Sequence, residues 1–196
     1  TALLTTADGA PERALALHRA GMEKGASVWP QVSPRPLTFS MNMVEPFTLN
    51  TSPVFAELMA GSEAERSAAY ADDAWRARVR DAWAAGPSGG LPPRWETYEI
   101  MESATNPDLV GRRLLDLAAE RNAEPFDVLL DLALAEPDLR SIRVRAVLAN
   151  DDEDAIAVLL NEPGCTLGLS DAGAHVTQLC DAPQATDLLG RWVRDK

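Results

Sequence analysis

The chain has few of the side chains that most often carry chemistry. It contains two histidines and two cysteines among 196 residues, and no G-x-G-x-x-G, P-loop, C-x-x-C or H-E-x-x-H sequence. The missing glycine-rich loops argue against nucleotide binding by a familiar route. No G-x-S-x-G elbow is present, and Ser170 precedes an acid, so a serine triad has no support. Cys165 and Cys180 are too few for a disulfide framework and read as reduced thiols on either side of one turn. No window approaches the ~18 consecutive apolar residues of a membrane span. Cations are scarce: Lys plus Arg is 18 against 30 Asp plus Glu, a net charge of −12. That field argues against binding nucleic acid or an anionic membrane. Thr1–Thr6 lacks the basic lead-in and long apolar core of a signal peptide, so the expected location is cytoplasmic. An initiator Met is also missing, which suggests a processed product or a piece of a longer protein.

What is present suffices for a globular fold. Hydrophobic residues make up 46% and charged residues 24%, enough for one core of domain size. Ala10–Lys24 reads as a helix, with Pro11 in its first turn, Leu15, Leu17, Ala20 and Met22 as apolar positions, and Gly25 as its stop. Ala26–Ser33 follows as a β-like run closed by Pro34-Arg35-Pro36. Ser52–Ala85 reads as two helices broken near Gly61-Ser62, with Trp75 and Trp83 on one face. The Gly/Pro-rich stretch 86–93 is a loop, and Arg94–Met101 alternates like a strand. Asn106-Pro107 and Glu124-Pro125 each open a helix, the first presenting Val110, Leu114, Leu117 and Ala118. Ser141–Leu148 is a strand, and the acidic run 151–154 caps the helix after it. Cys165–Leu169 is the last strand; a helix over Pro183–Arg194 then buries Leu188, Leu189, Trp192 and Val193. Strands and helices alternate at both ends of the chain, the pattern of parallel α/β architecture, with a mostly helical insertion between them.

The strand Cys165–Leu169 delivers Ser170-Asp171-Ala172-Gly173-Ala174-His175. An acid at the carboxyl end of a strand in a parallel α/β fold stands where such enzymes keep their chemistry. The same residue also serves as a turn former or helix cap, and position alone does not separate the two. His175 is either a partner of Asp171 in one pocket or a capping or solvent-facing residue. His18 sits within the first helix and reads as structural.

The stretch Val147–Arg194, with Ser170-Asp171 and Leu189-Gly190-Arg191-Trp192-Val193-Arg194, resembles the last part of the catalytic barrel of the amidohydrolase superfamily. The branch it looks most like contains D-aminoacylases and N-acyl-D-amino-acid deacylases. The resemblance extends more weakly to 25–36, as a barrel strand, and to 106–134, as helices after an insertion. It implies an α/β fold that is the C-terminal portion of a (β/α)8 barrel. Residues 1–196 would form one incomplete catalytic-barrel domain, with a helical insertion at about 45–105.

The activity implied is hydrolysis of an amide C–N bond in an N-acyl-D-amino acid or a related acylated small molecule, with zinc or another divalent ion in the complete enzyme. Asp171 matches the family's metal-site aspartate, which accepts a proton from the activated water and passes it to the leaving amine. His175 would line that pocket. Arg35 would meet a substrate carboxylate, or be a surface or structural arginine. The family's His-x-His pair and its later histidines are absent, so this piece alone is expected to bind no metal and to be inactive. A barrel of this kind needs about 250 residues. The chain is therefore expected to self-associate or to pair with a missing N-terminal half. The competing reading is a noncatalytic half-barrel that binds a partner chain.

Overall fold

The computed structural model describes residues 2–6, 10–86, 92–168, 170, 178–179 and 182–196. The fold is mixed α/β and divides into two compact units, 1–39 with 147–196, and 40–146.

The first unit is built on three parallel strands, β1 (Ala2–Leu3), β2 (Gln31–Val32) and β6 (Thr166–Leu167), paired in that order. Leu3 lies beside Val32, and Val32 beside Leu167. Helix α1 (Ala10–Glu23) links β1 to β2, and α7 (Glu153–Leu160) precedes β6. Leu15 of α1 and Leu159 of α7 are buried in one cluster with Leu3 and Val32. Only one stripe of α1 takes part. Pro11 and Leu15 are buried and His18 is half-buried, at helical spacing, whereas Leu17 is 77% exposed and Ala20 and Met22 are also exposed. The expected apolar set was thus too broad. Gly25 ends α1 at φ +85°, where its N–H and that of Ala26 return to the Met22 and Gly21 carbonyls. This pair of hydrogen bonds is favoured by a glycine free of a Cβ penalty.

Asp152 caps α7 by accepting from the Ala155 N–H at 3.0 Å, the role expected of the acidic run. The chain ends in α8 (Gln184–Asp187), which widens into a π-type coil over Leu188–Asp195. Leu188 and Trp192 are half-buried there, but Leu189 and Val193 are 64% and 68% exposed. The expected four-residue apolar face is therefore split into an inward and an outward pair.

A second sheet has the order β3 (Leu37–Met41), β5 (Ile142–Ala149), β4 (Glu99–Ser103), with β4 and β5 antiparallel. The second unit holds β4 and helices α2 (Pro53–Met59), α3 (Glu63–Tyr70), α4 (Asp73–Ala84), α5 (Leu114–Arg121) and α6 (Pro125–Leu134). Ser52–Ala85 thus holds three helices where two were expected. The extra break falls at Asp72, which caps α4 through the Ala74 N–H, with no glycine or proline to mark it. Trp95–Thr97 winds into a single 3₁₀ turn where a strand was expected, because Trp95 and Tyr98 pack together at 4.9 Å. Pro107–Leu109 is likewise only one turn. Gly111, at φ +84°, separates it from α5; Val110 is 50% exposed and Asn106 makes no side-chain cap.

Aromatic rings hold this unit together. Phe55 meets Trp75 at 4.9 Å, Phe126 at 6.1 Å and Trp83 at 6.2 Å, so the two tryptophans of α4 do share one face. Arg76 is buried beside them, donating to the Tyr70 carbonyl at 2.7 Å and to Asp131 at 2.6 Å. A buried guanidinium is tolerable only when its donors are met in this way.

Tyr70 and Tyr98, the only tyrosines of the chain, are both buried in this unit. Tyr70 donates to the Met43 carbonyl at 3.0 Å, and the Tyr98 hydroxyl lies 3.2 Å from Thr48 Oγ1. Burial disfavours the phenolate, raising Tyr70 and pushing Tyr98 up to about 12. An unfolded tyrosine ionises near pH ~10. The stability from the neutral buried phenols is therefore complete below that pH and is lost as pH rises through the folded values. In a spectrophotometric titration the folded chain should show no tyrosinate near pH ~10, and the signal should appear only with loss of the far-UV circular dichroism. Ordinary titration with the dichroism intact would contradict the burial of both rings.

Candidate functional site

Because β1, β2 and β6 are parallel, the segments that follow them leave from one edge of the sheet. These segments carry Thr5 after β1, Ser33-Pro34-Arg35 after β2, and Gly168 and Ser170 after β6. Carboxyl ends of parallel strands are where α/β folds assemble sites, since the loops there are free to vary over a fixed scaffold.

Asn150, directly after β5, joins two of these segments. It is fully buried and sits at φ +66°, a left-handed conformation that Asn tolerates better than most residues. Its backbone N–H donates to the Thr5 carbonyl, and its Oδ1 accepts from the Thr5 N–H, each at 3.0 Å. Its Nδ2 donates to the Ser33 carbonyl at 2.9 Å and to the Arg35 carbonyl at 2.7 Å. The intervening Pro34 carbonyl accepts from Trp192 Nε1 at 2.6 Å. Ser33 Oγ closes the turn, 3.4 Å from the Arg35 N–H and 3.3 Å from its carbonyl. Every carbonyl of Ser33–Arg35 is therefore an acceptor. Thr5 Oγ1 is buried in the same region without a hydrogen-bond partner.

Arg35, the candidate for a substrate carboxylate, has its Nε 3.3 Å from Asp187 Oδ2 of α8. The C-terminal coil is fastened again at Glu153, which accepts from both Arg191 and Lys196. The hydrogen bond from Lys196, with that from Arg191, holds the Glu153 carboxyl below the usual range. The Lys196 ammonium also lies 5.0 Å from the centre of the Trp192 ring. Gly168 allows β6 to approach β2: a Cβ there would stand 2.7 Å from the Gln31 side chain.

Asp171 and His175 lie outside the described residues, as does Cys180. Cys165 is a free thiol directly before β6, raised in pKa chiefly by burial. His18 stands at the amino-terminal side of β6, against Gly164, and lines an apolar hollow with Leu3, Met22 and Val28. Among the described residues no group of three or more His, Cys, Asp or Glu could hold a metal ion. No helix among them is long and apolar enough to cross a membrane.

Asn150, Thr5 and the indole donor of Trp192 were not singled out by sequence reasoning. Asn150 stands directly before an acidic run that explains itself as a helix cap, and Trp192 reads as a core residue.

No family model matches the chain. One uncharacterized protein of Mycobacterium bovis and two of Mycobacterium tuberculosis are 31% identical to it over 137 residues. The match takes in 65% of this chain and 22% of each relative, so the chain spans about a fifth of the length of the curated relatives it matches. Among solved structures, an N-acyl-D-glutamate deacylase from Bordetella bronchiseptica, complexed with zinc and a phosphonate inhibitor, superposes with a TM-score of 0.47. It is 18% identical and covers all of this chain and 31% of its own length.

Replacing Trp192 by Phe keeps a ring and deletes the donor to Pro34. Losing a net hydrogen bond to a buried carbonyl should cost about 1–2 kcal/mol in denaturant unfolding. A change below ~0.3 kcal/mol would show that water replaces the indole N–H and that the coil does not hold this loop.

Proposed function

We propose that this chain is the C-terminal part of the catalytic barrel of an amidohydrolase, and that the complete protein hydrolyses the amide bond of an N-acyl-D-amino acid or a related acylated small molecule. The observation that carries the reading is three parallel strands in chain order whose carboxyl ends share one edge, the last of them continuing in sequence into Ser170-Asp171. The pattern Leu189-Gly190 to Arg194 supports it from sequence. In this reading the mostly helical interval at about 45–105 is an insertion in the barrel.

In this reading Asp171 is the base. Its carboxylate takes a proton from the attacking water and passes it to the nitrogen that leaves, while Arg35 and His175 contact the substrate. A divalent ion, zinc or another, belongs to the complete protein, with Asp171 among its ligands. The described residues do not by themselves fit such an ion.

The test uses the complete protein that contains this segment, assayed against N-acetyl-D- and L-amino acids. Asp171→Asn should lower kcat/KM by a factor on the order of 10²–10⁴ with an unchanged circular dichroism spectrum. Turnover near that of the unaltered protein would refute the assignment. Residues 1–196 alone should elute from a sizing column as a self-associated species, since open strand edges recruit partners. A cooperatively unfolding monomer would speak against an incomplete barrel.

A further inference from the structure

We infer that Asn150 is the positioning residue of the strand-end loop Ser33–Arg35, and that through this loop it sets how Arg35 meets the carboxylate of an N-acyl amino acid. The substrate in this statement rests on the hydrolase reading above; the clamp rests on geometry alone.

The amide of Asn150 is committed to the protein. Both Nδ2 hydrogens go to carbonyls of one loop, at 2.9 and 2.7 Å, and Oδ1 holds the Thr5 N–H at 3.0 Å. The side chain is fully buried, so it has no surface with which to touch a ligand. Its partners lie 115 to 145 residues away in sequence, on the segments that follow β2 and β1. One planar group therefore fixes the separation of two strand-end segments. With Ser33 and Arg35 carbonyls taken by Asn150 and the Pro34 carbonyl by Trp192, and with Ser33 and Pro34 buried, Arg35 is the residue of this loop left partly exposed.

Few other side chains would serve. Aspartate is isosteric, yet its second oxygen would face two carbonyl oxygens. Glycine suits φ +66° but gives up all the side-chain bonds. Leucine or methionine would take the Asn150 bonds from the Ser33 carbonyl and the Thr5 N–H, and would leave the Arg35 carbonyl with the longer bond from Ser33 Oγ.

The experiment uses Asn150→Ala and Asn150→Asp in the complete protein, with N-acetyl-D-amino acids as substrates, well below the unfolding temperature. Hydrogen–deuterium exchange is followed in peptides covering Thr5 and Ser33–Arg35. Exchange in both peptides should quicken, and KM should rise about tenfold or more, the loss of a hydrogen bond to a charged substrate group, with kcat within about threefold. Asn150→Asp should recover part of the KM as pH falls, because the protonated acid can donate to one carbonyl again. Arg35→Ala combined with Asn150→Ala should be little worse than Arg35→Ala alone, a coupling that loss of folded protein would not produce.

Unchanged exchange overturns the clamp. A fall in kcat with KM unchanged, or full additivity with Arg35→Ala, overturns the positioning role. If the unaltered protein hydrolyses none of the panel while exchange still depends on Asn150, the hydrolase reading fails and takes the substrate part with it. Should Asn150→Ala not fold, Trp192→Phe loosens the same loop at Pro34 and must raise KM to a smaller degree; no rise overturns the proposal.

Discussion

A single buried carboxamide holds the strand-end region of the first unit together. Strands of two residues, such as β1, β2 and β6, make few ladder bonds and cannot by themselves fix where their following segments go. Asn150 supplies that constraint by bonding to Thr5, Ser33 and Arg35 at once. Buried amides are costly unless every polar atom is met, which makes such a residue intolerant of change but precise in what it positions. The C-terminal coil adds a second fixation through Trp192 at Pro34, and α8 a third through Asp187 at Arg35.

The second unit depends on different physics. Its centre is a cluster of rings from α2, α3, α4 and α6, with Phe55 in contact with Tyr70, Trp75, Trp83 and Phe126. Edge-on and tilted ring contacts add to the apolar burial already gained. Arg76 threads this region and ties α4 to α6 through Asp127 and Asp131.

The legible parts of the sequence were those whose cause is local. Pro11 and Gly25 bounded α1, Pro125 opened α6 and Asp152 capped α7, because caps and prolines act within one turn. What sequence could not reveal depends on distant partners. Asp72 breaks a helix without glycine or proline, and the turn at Trp95 exists because its ring is needed against Tyr98 and Phe126. Leu189 and Val193 fit an apolar face by spacing, yet the wide coil turns them outward. At the site the motif directed attention to Asp171, His175 and Arg35. Of these Arg35 lies within the described residues, and its contact with Asp187 has no signature in the sequence. Asn150 was invisible for the same reason, its partners being more than a hundred residues away.

Asp171 is proposed to work at the strand-end edge that Asn150 organises. The most direct test is a zinc-edge anomalous difference map from crystals of the complete protein grown with zinc. The account predicts a peak about 2.0–2.2 Å from an Asp171 carboxylate oxygen, on the strand-end side that carries Thr5 and Ser33. Zinc bound without Asp171, or at the amino-terminal side of the strands near His18, would contradict it.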